Sequence, residues 1–138
     1  MIIEWNAHIF STDTDRYPFH ERAAYEPREE MRFDDPLGDY ISRMEEEGID
    51  RAVLVHPEPY GDDHRLALDC VAARPDLFKT TALFYPKDDA APAKLKALVA
   101  EHGESLVAFR FHAHEGKREY LDSFRDPNVR ELWKTAGE

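Results

Sequence analysis

Side chains that can bind ligands or transfer protons follow three of the apolar runs in this sequence. They are Asn6, His8, His56, Arg110, His112 and His114. A neutral imidazole binds metals and exchanges protons near neutral pH, and a guanidinium holds a carboxylate through two parallel hydrogen bonds. These residues are therefore candidates for a site that binds a small acidic molecule and acts on it.

Strand-like and helix-like segments alternate four times along the chain. The predicted strands cover residues 1–6, 52–55, 80–85 and 106–111. Helices are predicted to begin at Asp35-Pro36, at Asp62 or Asp63, at Asp88 or Asp89, and at Asp126-Pro127. Aspartate is a favoured helix cap, and proline suits the first helical position. The sequence therefore predicts one α/β domain over residues 1–138, with parallel strands joined by helical crossovers.

Four βα units in succession leave two architectures open. One is half of a (β/α)8 barrel, in which functional groups gather at the C-terminal ends of the strands. The other is a doubly wound open parallel sheet with helices on both faces. The half-barrel is favoured because the candidate residues lie at the predicted strand ends.

Side-chain alternation assigns residues to the two faces of each strand. Ile3 and Trp5 share a face that is predicted to pack against helices. The predicted inward residues are Glu4, Asn6, His8, Arg110 and His112. Burying several ionisable groups is costly unless they are paired or bind a ligand. Arg110 therefore has two predicted partners, which are Glu4 within the chain and a substrate carboxylate.

Residues 9–34 show no helix or strand periodicity and form an unusually long loop. Loops of this length are commonly functional or disordered. The aromatic residues and arginines of the loop favour an ordered lid over a site, with a solvated excursion as the alternative. His20, His64 and His102 are predicted to lie at the surface, and Cys70 is predicted to be a small buried hydrophobic residue.

The charge balance limits the partners of this protein. It has 29 acidic and 18 basic residues, a net charge of −11, and no cluster of Lys and Arg that could form a basic face. Neither nucleic acid nor an anionic membrane surface is therefore an expected partner. The chain is also predicted to contain no membrane helix, which needs roughly 20 apolar residues. The single cysteine excludes an internal disulfide and fits a cytoplasmic protein.

Several short motifs, in their order along the chain, resemble the amidohydrolase-related metal-dependent hydrolases. Residues 2–8 resemble the first strand of that family, where an acid, a spacer and a His-x-His pair end the strand. Residues 44–55 are similar to its first helix and second strand, and residues 72–78 to the lead into its third strand. Residues 109–112 resemble its fourth strand.

The resemblance implies a (β/α)8 barrel that hydrolyses an amide, ester or lactone bond of a small, acidic molecule, or that decarboxylates a related acid. It implies that His8 is a metal ligand, with Asn6 in place of the other histidine of the pair. The implied cofactor is a divalent metal, with zinc the predicted ion, or no metal, because an amide oxygen is a poor zinc ligand. It also implies that Arg110 and His112 hold carboxylate or carbonyl oxygens of the substrate. The predicted catalytic residues are therefore His112 and Arg110, and the predicted substrate-binding residues are Asn6, His56, Arg110 and His114.

A barrel of this kind needs about 250 residues, so this sequence corresponds to roughly half of one. Half a barrel leaves its inner face open and two edge strands unpaired. The sequence therefore predicts that the other half comes from a homo-oligomer, from a separate chain or from further sequence. The alternative to an enzyme is a non-catalytic, truncated half-barrel that oligomerises or binds small acids.

Overall fold

The computed structural model describes residues 1–113, 121 and 123–138, so the predicted site residue His114 lies outside the described residues. Four parallel strands form one sheet in the order β1-β2-β3-β4. They are β1 Ile3–Ala7, β2 Arg51–Leu54, β3 Phe78–Leu83 and β4 Leu106–Arg110. This sequential order confirms the half-barrel, because a doubly wound sheet reverses its strand order at a switch point.

A helix follows each strand along the chain. The four are α1 Pro36–Glu47, α2 Arg65–Ala73, α3 Ala91–His102 and α4 Pro127–Ala136. Asp35 and Asp126 cap α1 and α4 as predicted, since their carboxylates accept the N–H groups of Gly38 and Asn128, each at 2.9 Å. None of the helices in residues 1–113 and 123–138 is long and apolar enough to cross a membrane.

Two helices begin later than the sequence predicts. α2 starts after His64, and α3 starts after Ala90. The aspartates before them accept the N–H group two residues ahead, Asp63 at 3.1 Å and Asp88 at 2.9 Å. Such short side-chain turns compete with capping. The aspartates therefore shape the turns that lead into α2 and α3.

The helices cover one face of the sheet, and the core lies beneath them. The buried cluster under α1 and α2 includes Tyr40, Met44, Ala52, Leu54, Cys70 and Phe78. A second buried cluster, under α3 and α4, includes Ala82, Phe84, Ala91, Leu95 and Leu132. The prediction that Cys70 is buried is confirmed, with 5% of the residue exposed.

The faces predicted for β1 are wrong. Glu4 pairs with Ala52, whose side chain lies on the helix-covered face, and the register then shifts before Ala7. Ile3 and Trp5 lie on the open face instead and are 52% and 58% exposed. Alternation groups the side chains but does not decide which group faces the helices, because apolar side chains suit a barrel interior as well as a helix. The bulge after Glu4 then breaks strict alternation.

The apolar spacing of the last helix also predicts that Trp133 faces inward with Val129 and Leu132, and both this burial and the predicted exposure of His64 are wrong. Trp133 is 58% exposed, because α4 turns Val129 and Leu132 to the core. The Trp133 ring lies on the flank of α4 against Phe111, with 5.3 Å between ring centroids. His64 is only 4% exposed, since it lies between α2 and the sheet.

The long segment 9–34 packs against the C-terminal ends of the strands. Ser11 and Phe33 form an isolated parallel bridge that holds its two ends together. Phe10 is buried in the main core cluster, and the His20 N–H donates to the carbonyl oxygen of Pro59 at 2.8 Å. The segment is therefore a packed part of the fold, and the solvated excursion is contradicted.

Candidate functional site

The four strands end at one edge of the sheet, because they are parallel. His8 directly follows β1, His56 lies two residues after β2, Tyr85 lies two residues after β3, and Arg110 ends β4. In barrels of this type, the groups at this edge face the mouth. The segment 9–34 packs over the same edge. The structure thus gathers side chains from all four units at one end of the sheet.

Arg110 is half-buried and connects two of the predicted site residues. Its Nη1 donates to the carbonyl oxygen of His56, and its Nη2 donates to Nδ1 of His112, both at 3.3 Å. Because Nδ1 of His112 accepts this bond, the proton of the neutral ring lies on Nε2. No carboxylate in the described part of the chain forms an ion pair with Arg110, so the predicted Glu4–Arg110 pair is absent there.

His8 is held with one ring nitrogen turned away from the backbone. Its Nδ1 lies 3.2 Å from the carbonyl oxygen of Asn6, which can only accept, so Nδ1 carries the proton. Burial lowers the pKa of His8, the bond to Asn6 opposes that effect, and the charge of Arg110 adds to it. The ring is therefore neutral at pH 7, and Nε2 presents a lone pair.

His56 and His64 form a buried pair beneath the site, with ring centroids 4.2 Å apart. Nε2 of His56 donates to the carbonyl oxygen of Gly61 at 2.8 Å, and Nε2 of His64 accepts the N–H of Leu83 at 3.0 Å. Burial, reinforced by the neighbouring ring of His64, lowers the pKa of His56 well below its usual range. Burial also lowers the pKa of His64, to about 4. Both rings are neutral at pH 7.

Glu58 is a site residue that the sequence reasoning missed. It is 1% exposed, and its Oε1 accepts the N–H of Ala24 from the long segment at 2.8 Å. Burial, followed by the charge of Glu58, raises the pKa of Tyr25, and Arg110 opposes that shift. A carboxylate two residues after His56, directly beyond a buried strand, was the available signal.

Tyr85 anchors the other part of the long segment. Its hydroxyl lies 3.1 Å from Nδ1 of His20, and the guanidinium of Arg22 lies 4.4 Å from its ring centroid. Arg22 and His20 thus reach the ends of β2 and β3, where the predicted mouth opens. Sequence alternation gave no indication of these contacts, because they join segments 65 residues apart.

The described residues do not form a metal site by themselves. Within residues 1–113, 121 and 123–138, no group of three or more His, Cys, Asp or Glu side chains is placed to hold an ion. His8 is the predicted ligand, and Asn6, two residues before it in β1, is exposed. One imidazole and one amide are too few donors for the four-coordinate sites that zinc prefers.

The sequence of this chain has counterparts among known proteins. The family model for amidohydrolases matches residues 3–138. A 4-sulfomuconolactone hydrolase from Hydrogenophaga intermedia is 31% identical over 112 residues, which are 81% of this chain and 34% of that protein. This chain thus spans about a third of the length of that curated relative.

Two solved structures share the fold. The crystal structure of a probable 2-pyrone-4,6-dicarboxylic acid hydrolase from Acinetobacter baumannii, with citric acid bound, matches with a TM-score of 0.70 and 23% identity, over 98% of this chain and 45% of that one. A 5-carboxyvanillate decarboxylase from Novosphingobium aromaticivorans, with bound manganese and a nitrobenzoic acid, matches with a TM-score of 0.59 and 15% identity, over 98% and 47% of the chains. Both cover this chain with roughly half of their own length.

Proposed function

Because this chain belongs to the amidohydrolase family, we propose that it supplies half of a barrel enzyme that hydrolyses a lactone, ester or amide bond in a small acidic molecule. The names of two matched proteins support this substrate class, since one is a 4-sulfomuconolactone hydrolase and the other a probable 2-pyrone-4,6-dicarboxylic acid hydrolase. Decarboxylation is the alternative reaction within the family, because one structural relative is a decarboxylase.

The observation that carries the proposal is the environment of Arg110. Within the described residues it makes two hydrogen bonds, both 3.3 Å long, which are longer than the 2.7–2.9 Å typical of charge-assisted pairs. Both of these acceptors are neutral, so none of them balances the charge of the guanidinium at the mouth. A substrate carboxylate would satisfy it better than its present partners do, and Arg110 is the proposed carboxylate clamp.

The neighbouring residues have proposed roles that follow from their hydrogen bonds. His112 is held by Arg110 with its proton on Nε2, which suits it to donate that proton to a substrate oxygen. His56 is buried. Its carbonyl oxygen accepts a hydrogen bond from Arg110 and thereby positions the guanidinium. Asn6 is a proposed substrate contact, as is His114, which lies outside the described residues.

A divalent metal is a further proposal. His8 could supply one neutral imidazole through Nε2, and zinc is the predicted ion, although a relative holds manganese. The other ligands would have to come from outside the described residues. The proposed cellular location is the cytoplasm, and the proposed partner besides substrate is a second half-barrel.

A non-catalytic module that binds small acids is the second candidate. The small donor set around His8 and the open face of the sheet favour it.

One assay separates the two candidates. The purified chain, at high concentration and with added zinc or manganese, is mixed with 4-sulfomuconolactone or 2-pyrone-4,6-dicarboxylate, and loss of the lactone is followed. The proposed function predicts turnover that Arg110→Ala abolishes and that Arg125→Ala, at an exposed arginine, leaves intact. Binding without turnover would favour the module.

A further inference from the structure

One hydrogen bond of Arg110 ends on a backbone group just beyond the second strand. Arg110 is the last residue of β4, and its Nη1 donates to the carbonyl oxygen of His56 at 3.3 Å. Since β3 lies between β2 and β4, this bond reaches across the end of β3. The orientation of the guanidinium therefore depends on how firmly the backbone of His56 is held.

The sheet ladder does not hold the backbone of His56. The pairing of β2 with β3 ends at Leu54, and the N–H of Val55 donates to the carbonyl oxygen of Ala7 in β1 at 2.8 Å. His56 is buried, so its N–H needs an acceptor inside the protein. A side chain supplies that acceptor, because the N–H of His56 donates to Oγ1 of Thr81 in β3 at 3.1 Å.

Thr81 lies on the same face of the sheet as Arg110. Ala82 belongs to the buried cluster under α3 and α4, and side chains alternate along a strand, so Thr81 and Leu83 point to the opposite face. Leu83 pairs in register with Arg110, which puts the Arg110 side chain on that face too. Thr81 is itself buried. Its hydroxyl therefore supports His56 from within the fold.

The ring of His56 provides a second attachment for the same residue. Its Nε2 donates to the carbonyl oxygen of Gly61 at 2.8 Å, and its ring centroid lies 4.2 Å from that of His64. Because the backbone N–H and the ring N–H of His56 are both bound, the residue cannot turn freely. Its carbonyl oxygen keeps one direction, which is the direction of Arg110.

We propose that Thr81 is a positioning residue for the carboxylate clamp: it fixes the backbone of His56, and the His56 carbonyl oxygen in turn holds the Arg110 guanidinium in the orientation that receives a substrate carboxylate. A side chain that is ordered before binding loses less conformational freedom when the ligand arrives, which raises affinity. This inference rests on the proposed function, in which Arg110 binds the substrate.

The first measurement is the mobility of Arg110 in the full chain without ligand, from the NMR order parameter of its side-chain Nε–H group. Thr81→Val removes the hydroxyl and keeps the branched shape. The order parameter should then fall below about 0.6, the range of flexible groups. Thr81→Ser keeps Oγ and should restore the wild-type value. Thr81→Ala also lacks the hydroxyl and gives the same test if valine prevents folding.

The matched control is Thr80→Val, at the preceding residue of β3. Thr80 is also buried, and its hydroxyl donates to the carbonyl oxygen of Leu54 at 2.7 Å, so the control loses a comparable buried hydrogen bond. Arg110 should stay as ordered as in the wild type. An ordered Arg110 in Thr81→Val, or an equal loss of order in Thr80→Val, would overturn the proposal.

The second measurement is calorimetric titration with citrate and with its neutral triamide. Thr81→Val should weaken citrate binding by roughly threefold to tenfold, the effect of one neutral hydrogen bond, and should leave the triamide nearly unchanged. In an Arg110→Lys background the same substitution should have no further effect, because Thr81 acts through Arg110. An equal loss in both backgrounds would overturn the positioning role.

Failure of this inference and failure of the proposed function are distinguishable, because the mobility measurement needs neither ligand nor turnover. An Arg110 that stays ordered in Thr81→Val, with unchanged citrate binding, would overturn the positioning role and leave the clamp. An Arg110 that loses its order in a chain that binds no citrate would support Thr81 as the residue that orients Arg110 and would contradict the proposed clamp.

Discussion

Arg110 is the side chain that connects the strand end most directly to ligand chemistry. Among the described residues its hydrogen bonds go to a carbonyl oxygen and an imidazole, and a substrate carboxylate would be a stronger partner than either. We expect Arg110→Lys to weaken binding of a carboxylate ligand by roughly tenfold to a hundredfold, the equivalent of losing about 1.5–3 kcal/mol from one charged hydrogen bond. Lysine keeps the positive charge but cannot make the two parallel hydrogen bonds of a guanidinium.

The control for Arg110→Lys is the amide analogue of the same ligand, titrated calorimetrically against both proteins. The amide should bind both nearly equally. If the variant loses equal affinity for the acid and the amide, or fails to fold, then Arg110 supports the structure and does not bind the carboxylate of the ligand.

His64 gives the stability of this protein a specific pH dependence. In the folded chain its pKa is about 4, whereas the imidazole of an unfolded chain titrates near 6.5. The unfolded state therefore binds more protons between these two values, and folding stability falls as the pH drops from about 6.5 to about 4. Its stabilising contribution is complete above that window, and its loss amounts to roughly 3 kcal/mol.

Urea unfolding at a series of pH values tests this dependence. His64→Gln, which keeps an acceptor for the Leu83 N–H without a titrating ring, should reduce the slope of the stability profile between pH 4 and 6.5 and leave the part that comes from His56. The control is His102→Gln, on α3. An unchanged slope in His64→Gln would show that other groups set the acid sensitivity.

Residue-scale reasoning from the sequence found the groups that end strands and missed those that depend on tertiary contacts. His8 and Arg110 could be picked out because a strand end fixes their location. His64 could not, since its burial depends on β3 coming within 3.0 Å of its ring. Glu58 was missed for a similar reason, because its partner Ala24 is 34 residues away.

At the scale of elements, the long segment depends on a glycine. Gly61 has φ 58°, and a side chain there would meet the ring of His20, with a Cβ only 2.6 Å from Cγ. A non-glycine residue in a left-handed helical conformation costs about 1–2 kcal/mol. Because the contact with His20 adds to the backbone strain, Gly61→Ala should lower the free energy of unfolding by more than that. It should also speed protease cleavage within residues 9–34, measured by mass spectrometry of the fragments.

Gly48→Ala is the comparison variant for Gly61→Ala, at a second glycine of positive φ whose ψ is 31° instead of −124°. Gly48 has φ 68° at the end of α1, and a Cβ there would meet no atom within 4 Å, so this variant reports backbone strain alone. Cleavage in residues 9–34 should stay at the wild-type rate. Identical stability losses and cleavage rates in the two variants would contradict the contact between His20 and Gly61.

The elements themselves were predictable where local chemistry decides them. The Asp-Pro starts of α1 and α4 were correct because the cap needs only residues three positions apart or fewer. The faces of β1 were not, because alternation does not decide which group of side chains faces the helices, and the register also shifts between Glu4 and Ala7 through pairing with β2. Alternation assumes an unbroken ladder, and a bulge removes that assumption.

At the scale of the whole molecule, the strand order follows from the succession of βα units, and the open face follows from having only four of them. Amphipathic patterns in the sequence show that each helix has one apolar side. They do not show what covers the other face of the sheet. Ile3 and Trp5 therefore read as helix-facing in the sequence and lie exposed on the open face in the fold.

The most direct test of the account is a crystal structure of this chain with citrate, the acid found in one structural relative. We expect a citrate carboxylate that accepts hydrogen bonds from both terminal nitrogens of Arg110. It should lie at the mouth of a barrel that further strands complete against β1 and β4. An Arg110 that is paired with a carboxylate of the protein, with citrate absent from the strand ends, would contradict it.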